Sequence, residues 1–192
     1  VIAIVQNGSA TLHARNGKLL ANFPHIEESL SKPEFEGLVF DGEVMSDDFQ
    51  ALMKQVYRKS GAKTDDDYLA LFDILPLDEF NSGKSNLNSI ERKNELNKLS
   101  KKFDDVIKLV DYEVINFDEE KGQKKFAKMN KEALDKGFEG LMIKPNDNFY
   151  ECKRSHAWLK IKPFIEVTLK VVDIQEGTGK HAGKLGAFSV EG

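Results

Sequence analysis

Two lysines spaced two apart carry the clearest chemical signal in the chain, in the run Trp158-Leu159-Lys160-Ile161-Lys162. On a strand this spacing sends both ammonium groups from one face and Leu159 and Ile161 from the other. Two cations held side by side repel each other. An anion between them, such as a phosphate, relieves the repulsion, and a nearby acid can bind the metal that accompanies it. The alternative is an amphipathic strand with a solvated lysine edge, a common guard against edge pairing. Glu139 heads a second run, Leu141-Met142-Ile143, which ends at Lys144. Turn formers Asn146, Asp147 and Asn148 follow. The two runs are therefore expected to be strands of one sheet, with Leu141-Met142-Ile143 buried.

Three more candidates lie earlier. Asp41-Gly42-Glu43 interrupts an otherwise apolar stretch over residues 38–45. A glycine inside a strand marks a bulge or a close backbone approach to a ligand, and Glu43 then points into whatever occupies that space. Residues 68–75 are apolar almost throughout, as in a strand buried on both faces. Phe72 within it is a core residue unless it lies on a face turned toward a ligand. Arg15 ends a β-type run beside Asn16-Gly17, a turn that either aims the guanidinium inward or leaves it on the surface.

These side chains need a scaffold, and the rest of the sequence supplies one. Residues 1–6 and 9–15 are β-type runs separated by Asn7-Gly8, a strong hairpin signal. Helices are expected over 24–31, 88–100 and 119–136, the last closed by Gly137. Another should follow Asp47 or Asp48, with Phe49, Leu52, Met53, Val56 and Tyr57 on its inner face. Residues 59–66 and 80–89 read as polar, turn-rich loops, and 106–116 as a strand. A β-rich run over 166–175, a basic glycine turn from Gly177 to Lys184 and a return strand over 185–190 close the sequence. Interleaved helices and hairpins predict an α+β fold with largely antiparallel sheets.

Composition narrows the setting. With 28 basic and 32 acidic residues the formal net charge is −4, so any nucleic-acid contact must come from a local patch. One cysteine, Cys152, excludes an internal disulfide and fits a reducing, cytoplasmic compartment. His13, His25, His156 and His181 show no zinc-ligand spacing. No apolar run approaches membrane-spanning length. Because residue 1 falls inside a predicted strand, the chain is expected to be part of something longer.

Taken together, Asp41-Gly42-Glu43, Leu71-Phe72-Asp73, Glu139 to Lys144 and Trp158 to Lys162 resemble, in order and spacing, motifs III, IIIa, IV and V of the covalent nucleotidyltransferases. His13 to Gly17 resembles the arginine-bearing turn after the first motif of DNA ligases, and Glu176 to Gly186 resembles the first hairpin of their OB-fold domain. Capping enzymes usually carry aspartate at the position of Glu139, and NAD-dependent ligases use other forms of the third and fourth motifs. ATP-dependent DNA ligases fit best.

The resemblance implies an adenylation domain over 1–163 and the start of an OB-fold domain over 164–192. It implies ATP and Mg2+ as cofactors, nicked duplex DNA as partner, and a monomer sealing nicks in replication, repair and recombination. Lys160 and Lys162 would hold the α-phosphate. Glu139, with Glu43, would bind magnesium, and Glu43 could instead accept from a ribose hydroxyl. Phe72 would stack on adenine, Arg15 would meet the nucleotide or the nick phosphate, and Lys144 would be a secondary phosphate or structural contact. The family's nucleophilic lysine lies in Lys-x-Asp-Gly, which is absent from these 192 residues, so the chain by itself is expected not to self-adenylate. An RNA ligase, a capping guanylyltransferase and a non-catalytic nucleic-acid-binding relative remain the alternatives.

Overall fold

The structure is a computed structural model that describes residues 1–46, 67–163 and 166–191. The helix expected after Asp47 or Asp48 and the loop at 59–66 lie outside the described residues.

The scaffold is a five-stranded sheet in the order β2-β1-β3-β4-β6. Its strands are β1 (Ile2–Gln6), β2 (Ser9–His13), β3 (Leu38–Met45), β4 (Tyr68–Pro76) and β6 (Ile107–Leu109). β1 and β2 form the hairpin that Asn7-Gly8 predicts, with both turn residues at positive φ. Among the described residues only the β4–β6 pairing is parallel. One face of the sheet is sealed by α1 (Pro24–Leu30), α3 (Ser89–Leu99) and an aromatic cluster of Phe35, Phe40 and Phe103. That face carries the core: Ala3, Val5, Leu12, Ile26, Leu30, Phe40, Leu69, Leu71 and Leu96 are all fully buried. The opposite face of β3 and β4 carries Asp41, Glu43, Phe72 and Asp73.

Three two-stranded sheets complete the described chain. β5 (Lys84–Asn88) pairs with β8 (Phe149–Glu151), and β7 (Leu141–Ile143) with β9 (Leu159–Ile161). β10 (Lys170–Glu176) pairs with β11 (Leu185–Glu191). The last hairpin is exposed along both strands, including Val171, Ile174, Phe188 and Val190. The amphipathic α4 (Glu120–Asp135) turns Phe126, Met129, Ala133 and Leu134 to its inner side.

Three expectations need correcting. The turn-rich stretch at 80–89 is instead the end of α2 (Leu77–Ser82) followed by β5. Glu79 organises it, accepting from Ser85 Oγ and from the backbone and side-chain nitrogens of Asn86. A carboxylate thus replaces the apolar periodicity that sequence reading looks for. The strand predicted over 106–116 ends at Leu109, after which only Val110 N still bonds Leu71 O. Finally, Met142 is half exposed, because the small β7–β9 sheet has one open face.

Candidate functional site

The site face of the large sheet is made by an irregularity. In the β3–β4 ladder Asp41 pairs with Asp73, yet the next residue, Gly42, pairs with Leu71. Phe72 is therefore the extra residue of a β-bulge, which bends a strand and re-aims its side chains. Up to Leu71 the odd positions of β4 face the core; beyond the bulge Ile74 does. As a result Phe72 and Asp73 both leave the core face and join Asp41 and Glu43 opposite. Gly42 is needed here, since a Cβ at that position would stand 2.7 Å from the carbonyl oxygen of Ala70. The glycine in mid-strand thus marks a bulge, as its position suggests, and the close approach at this position is that of β4.

The second half of the site is the β7–β9 pair, where Met142 faces Lys160 across the strands. Gly140 precedes β7 at φ +137°, and a Cβ there would collide with the Ile161 carbonyl. This backbone, open only to glycine, brings Glu139 over β9. Its Oε2 accepts from Lys160 and, at 2.9 Å, from Lys162. The hydrogen bond from Lys160, then that from Lys162, holds the Glu139 carboxyl down to about 2. In turn the Glu139 hydrogen bond raises Lys160, to which Glu43 adds a further attraction. All three side chains are exposed to solvent. Both lysines are therefore turned toward Glu139, and Lys160 also lies within the field of Glu43.

Beneath them runs a buried polar network. Lys144 Nζ lies 3.5 Å from the Trp158 ring centroid, 4.7 Å from that of Phe72 and 3.4 Å from Asp73 Oδ2. Burial pushes its pKa down. Lys144 is thus inserted between two aromatic rings and an acid. Arg92, 1% exposed, donates to both oxygens of Asp73, at 2.7 and 3.2 Å, and to the Leu87 carbonyl at 2.7 Å. Tyr150 donates to Asp41 at 2.7 Å and packs edge-on against Trp158. Burial raises both the Asp41 carboxyl and the Tyr150 hydroxyl. The network matters because Asp41 and Asp73 face each other across two strands, where like charges are unfavourable.

Arg15 stands apart from this cluster. It lies exposed in the turn after β2, and no hydrogen bond or ion pair ties it to the other candidates among the described residues. Arg92, Asp41 and Tyr150 are the residues that sequence reading misses. Arg92 sits in a polar helix with a weak apolar face. The usable signal was Asn88 with Glu91, a capping box that fixes the helix start one residue before Ser89.

The family model described as "ATP dependent DNA ligase domain" matches residues 2–162. DNA ligase 2 of Methanosarcina acetivorans is 32% identical over 209 residues, covering 98% of this chain and 35% of the relative. A solved structure named Pmar-Lig_PreS3 superposes at a TM-score of 0.91 with 45% identity, covering all of this chain and 46% of that one. The ATP-dependent DNA ligase from bacteriophage T7 in complex with ATP matches at a TM-score of 0.61 and 20% identity, over 98% of this chain and 69% of that one, a likeness of fold alone. The chain thus spans less than half the length of the first two.

Proposed function

The chain belongs to the ATP-dependent DNA ligase family, whose domain it matches over residues 2–162, and from that premise we propose that it carries most of the nucleotide site of an enzyme that seals nicks in duplex DNA. The observation behind this reading is the convergence of Glu139, Lys160, Lys162 and Glu43 beside the re-aimed Phe72. In the family reaction a lysine nitrogen attacks the α-phosphorus of ATP and pyrophosphate leaves. AMP then passes to the 5′-phosphate of the nick, and attack by the 3′-hydroxyl releases it. Each step builds charge on phosphoryl oxygens, so positioned cations supply most of the catalysis.

Lys160 and Lys162 hold those oxygens in this reading, with phosphate taking the place beside both ammonium groups that Glu139 occupies here. Phe72 offers its ring to adenine, and Glu43 accepts from a ribose hydroxyl or a metal-bound water. Arg15 is the outlying contact to the nucleotide or to the nick phosphate. Both lysines hold Glu139 through Oε2, and Oε1 has no hydrogen-bond partner among the described residues. One or two carboxylate oxygens beside phosphate suit Mg2+, which keeps most of its waters. When bound, magnesium would neutralise phosphate charge.

Neither lysine suits the nucleophilic role. Lys160 is held as the ammonium by Glu139, and an ammonium has no lone pair with which to attack. With Lys-x-Asp-Gly absent from the sequence, the 192-residue chain incubated with α-labelled ATP and magnesium should retain no label after denaturation. Label on Lys160 or Lys162 would overturn these assignments. Supplying a Lys-x-Asp-Gly segment should restore labelling. In such a protein, removing either lysine should slow the reaction by orders of magnitude. A preference for GTP, or for RNA nicks, would favour the capping or RNA-ligase alternative.

The remaining assignments belong to the same proposal. Residues 1–163 act as the adenylation domain, and the β10–β11 hairpin opens an OB-fold. The protein works as a monomer in a reducing cytoplasm, in keeping with its one free, exposed cysteine. No described helix is long and apolar enough to cross a membrane.

A further inference from the structure

Lys93 belongs to none of the motifs above, yet it touches the site at its least regular point. It follows the buried Arg92 on α3, which packs against β4. Its Nζ donates to the backbone carbonyl of Phe72 at 2.5 Å. Phe72 is the bulged residue of β4, without a register partner on β3 among the described residues. A position of that kind is set less firmly by the sheet than its neighbours, because a regular ladder no longer dictates where its peptide planes point. The aromatic ring that depends on it is the one facing the proposed base site.

We propose that Lys93 is a positioning residue for the nucleotide base, holding the carbonyl of the bulged Phe72 and so fixing the angle at which the ring is presented. This rests on the reading of Phe72 as the base-stacking residue. The ammonium works from behind the ring, through the backbone, while Lys144 touches the ring itself. A charged donor on a carbonyl makes one of the stronger hydrogen bonds. The geometry also gives the contact a pH dependence. Lys93 is flanked by Arg92 on its own helix, by Asp73 on β4, by Lys144 after β7 and by the Tyr112 ring, 5.3 Å away, after β6. Burial, reinforced by the Lys144 charge, brings it down to about 8. The donor therefore weakens just above neutral pH.

The test uses this chain with two readouts. The first is the carbonyl carbon resonance of Phe72, followed from pH 7 to pH 10. The second is the affinity for adenosine, which lacks the phosphates that Lys160 and Lys162 would hold. In the wild type the resonance should shift with a midpoint near 8, and adenosine binding should weaken in step. Lys93→Met should remove the titration and weaken adenosine binding about three- to tenfold, the loss of one hydrogen bond. Lys93→Arg should restore binding and make it flat with pH, because guanidinium stays charged. A merely structural lysine would not give that pH profile. A Phe72 carbonyl that ignores Lys93 overturns the proposal, as does unchanged adenosine binding in Lys93→Met when Phe72→Ala weakens it. If Phe72→Ala binds as the wild type does, or the wild type binds no adenosine, the base-stacking reading fails and the proposal built on it fails too. The carbonyl resonance still decides separately whether Lys93 holds the bulge.

Discussion

Replacing Arg92 with leucine is the most demanding perturbation of this site, because it tests the foundation and leaves the exposed residues untouched. Arg92 and Asp73 are 1% and 2% exposed. Their guanidinium and carboxylate meet through two bonds, at 2.7 and 3.2 Å. Leucine fills much of the space but leaves the Asp73 carboxylate with Lys144, 3.4 Å away, as its nearest cation and the Ile74 backbone N–H at 3.0 Å, and frees the Leu87 carbonyl. Breaking one side of a buried ion pair costs about 3–5 kcal/mol, mainly from the charge left behind. For a chain of this size each kcal/mol lowers the melting temperature by about 2–4 °C, so the drop should be on the order of 10 °C. Urea unfolding and calorimetry on the two chains measure it. The companion Asp73→Asn/Arg92→Leu variant should recover part of the loss, since it removes the stranded charge. A cost for Arg92→Leu below about 1 kcal/mol, the range of a surface pair, would refute the account of the network as the support of β4.

Other consequences follow from the same geometry. By NMR the Glu139 carboxyl should titrate near pH 2, and in a Lys160→Ala/Lys162→Ala chain it should return to the ordinary value of about 4.3; an unmoved titration would separate the lysines from the acid. Tyr150→Phe should cost about 1–3 kcal/mol, because the Asp41 carboxyl loses its buried donor, and chemical denaturation would detect it. Gly42→Ala should destabilise by about 1–3 kcal/mol, as a methyl pressed on a strand carbonyl forces the ladder to shift; wild-type stability would show that the bulge is soft. Lys93 binds its proton more weakly folded, near 8, than at its ordinary 10.5. Between those values the unfolded chain holds more protons, so this group makes stability rise with pH across that window. Lys93→Met should abolish that share of the slope, and an unchanged slope would mean that Lys93 is not buried as a cation.

How much of this was legible in the sequence depended on where the signal lay. The Asn7-Gly8 hairpin, α1, α3, α4 and the β7–β9 pairing follow from local turn chemistry and periodicity, and they stand. Lys160 and Lys162 were readable as a pair because a strand's two-residue period is strict. The β4 bulge was only half readable. Gly42 announced an irregularity, but which strand carried the extra residue depends on pairing, and pairing is a long-range property. Residues 80–89 misled for a different reason. There the organising interaction is Glu79 with Ser85 and Asn86, polar contacts that leave no apolar pattern to detect. Arg92 was invisible because a buried arginine in a polar helix looks like any solvated one until its partner is known.

The spacing of the readable motifs has a physical reason in the network beneath them. Each candidate is backed by a buried or half-buried residue a few positions away in the same short stretch. Glu43 has Asp41, Phe72 has Asp73, Glu139 has Lys144 and Lys160 has Trp158. The buried members contact one another: Tyr150 joins Asp41 to Trp158, and Lys144 joins Trp158 to Asp73. On the large sheet the two members of each pair share one face, Asp41 with Glu43 and Asp73 with Phe72. Fixing the buried set as one connected unit therefore fixes the exposed set beside it as well. An exposed ion pair such as Lys160 with Glu139 does not by itself position the strands that carry it. What holds them in register is the packed layer under the sheet face, and Arg92 and Lys93 enter that layer from a helix that carries none of the recognisable motifs.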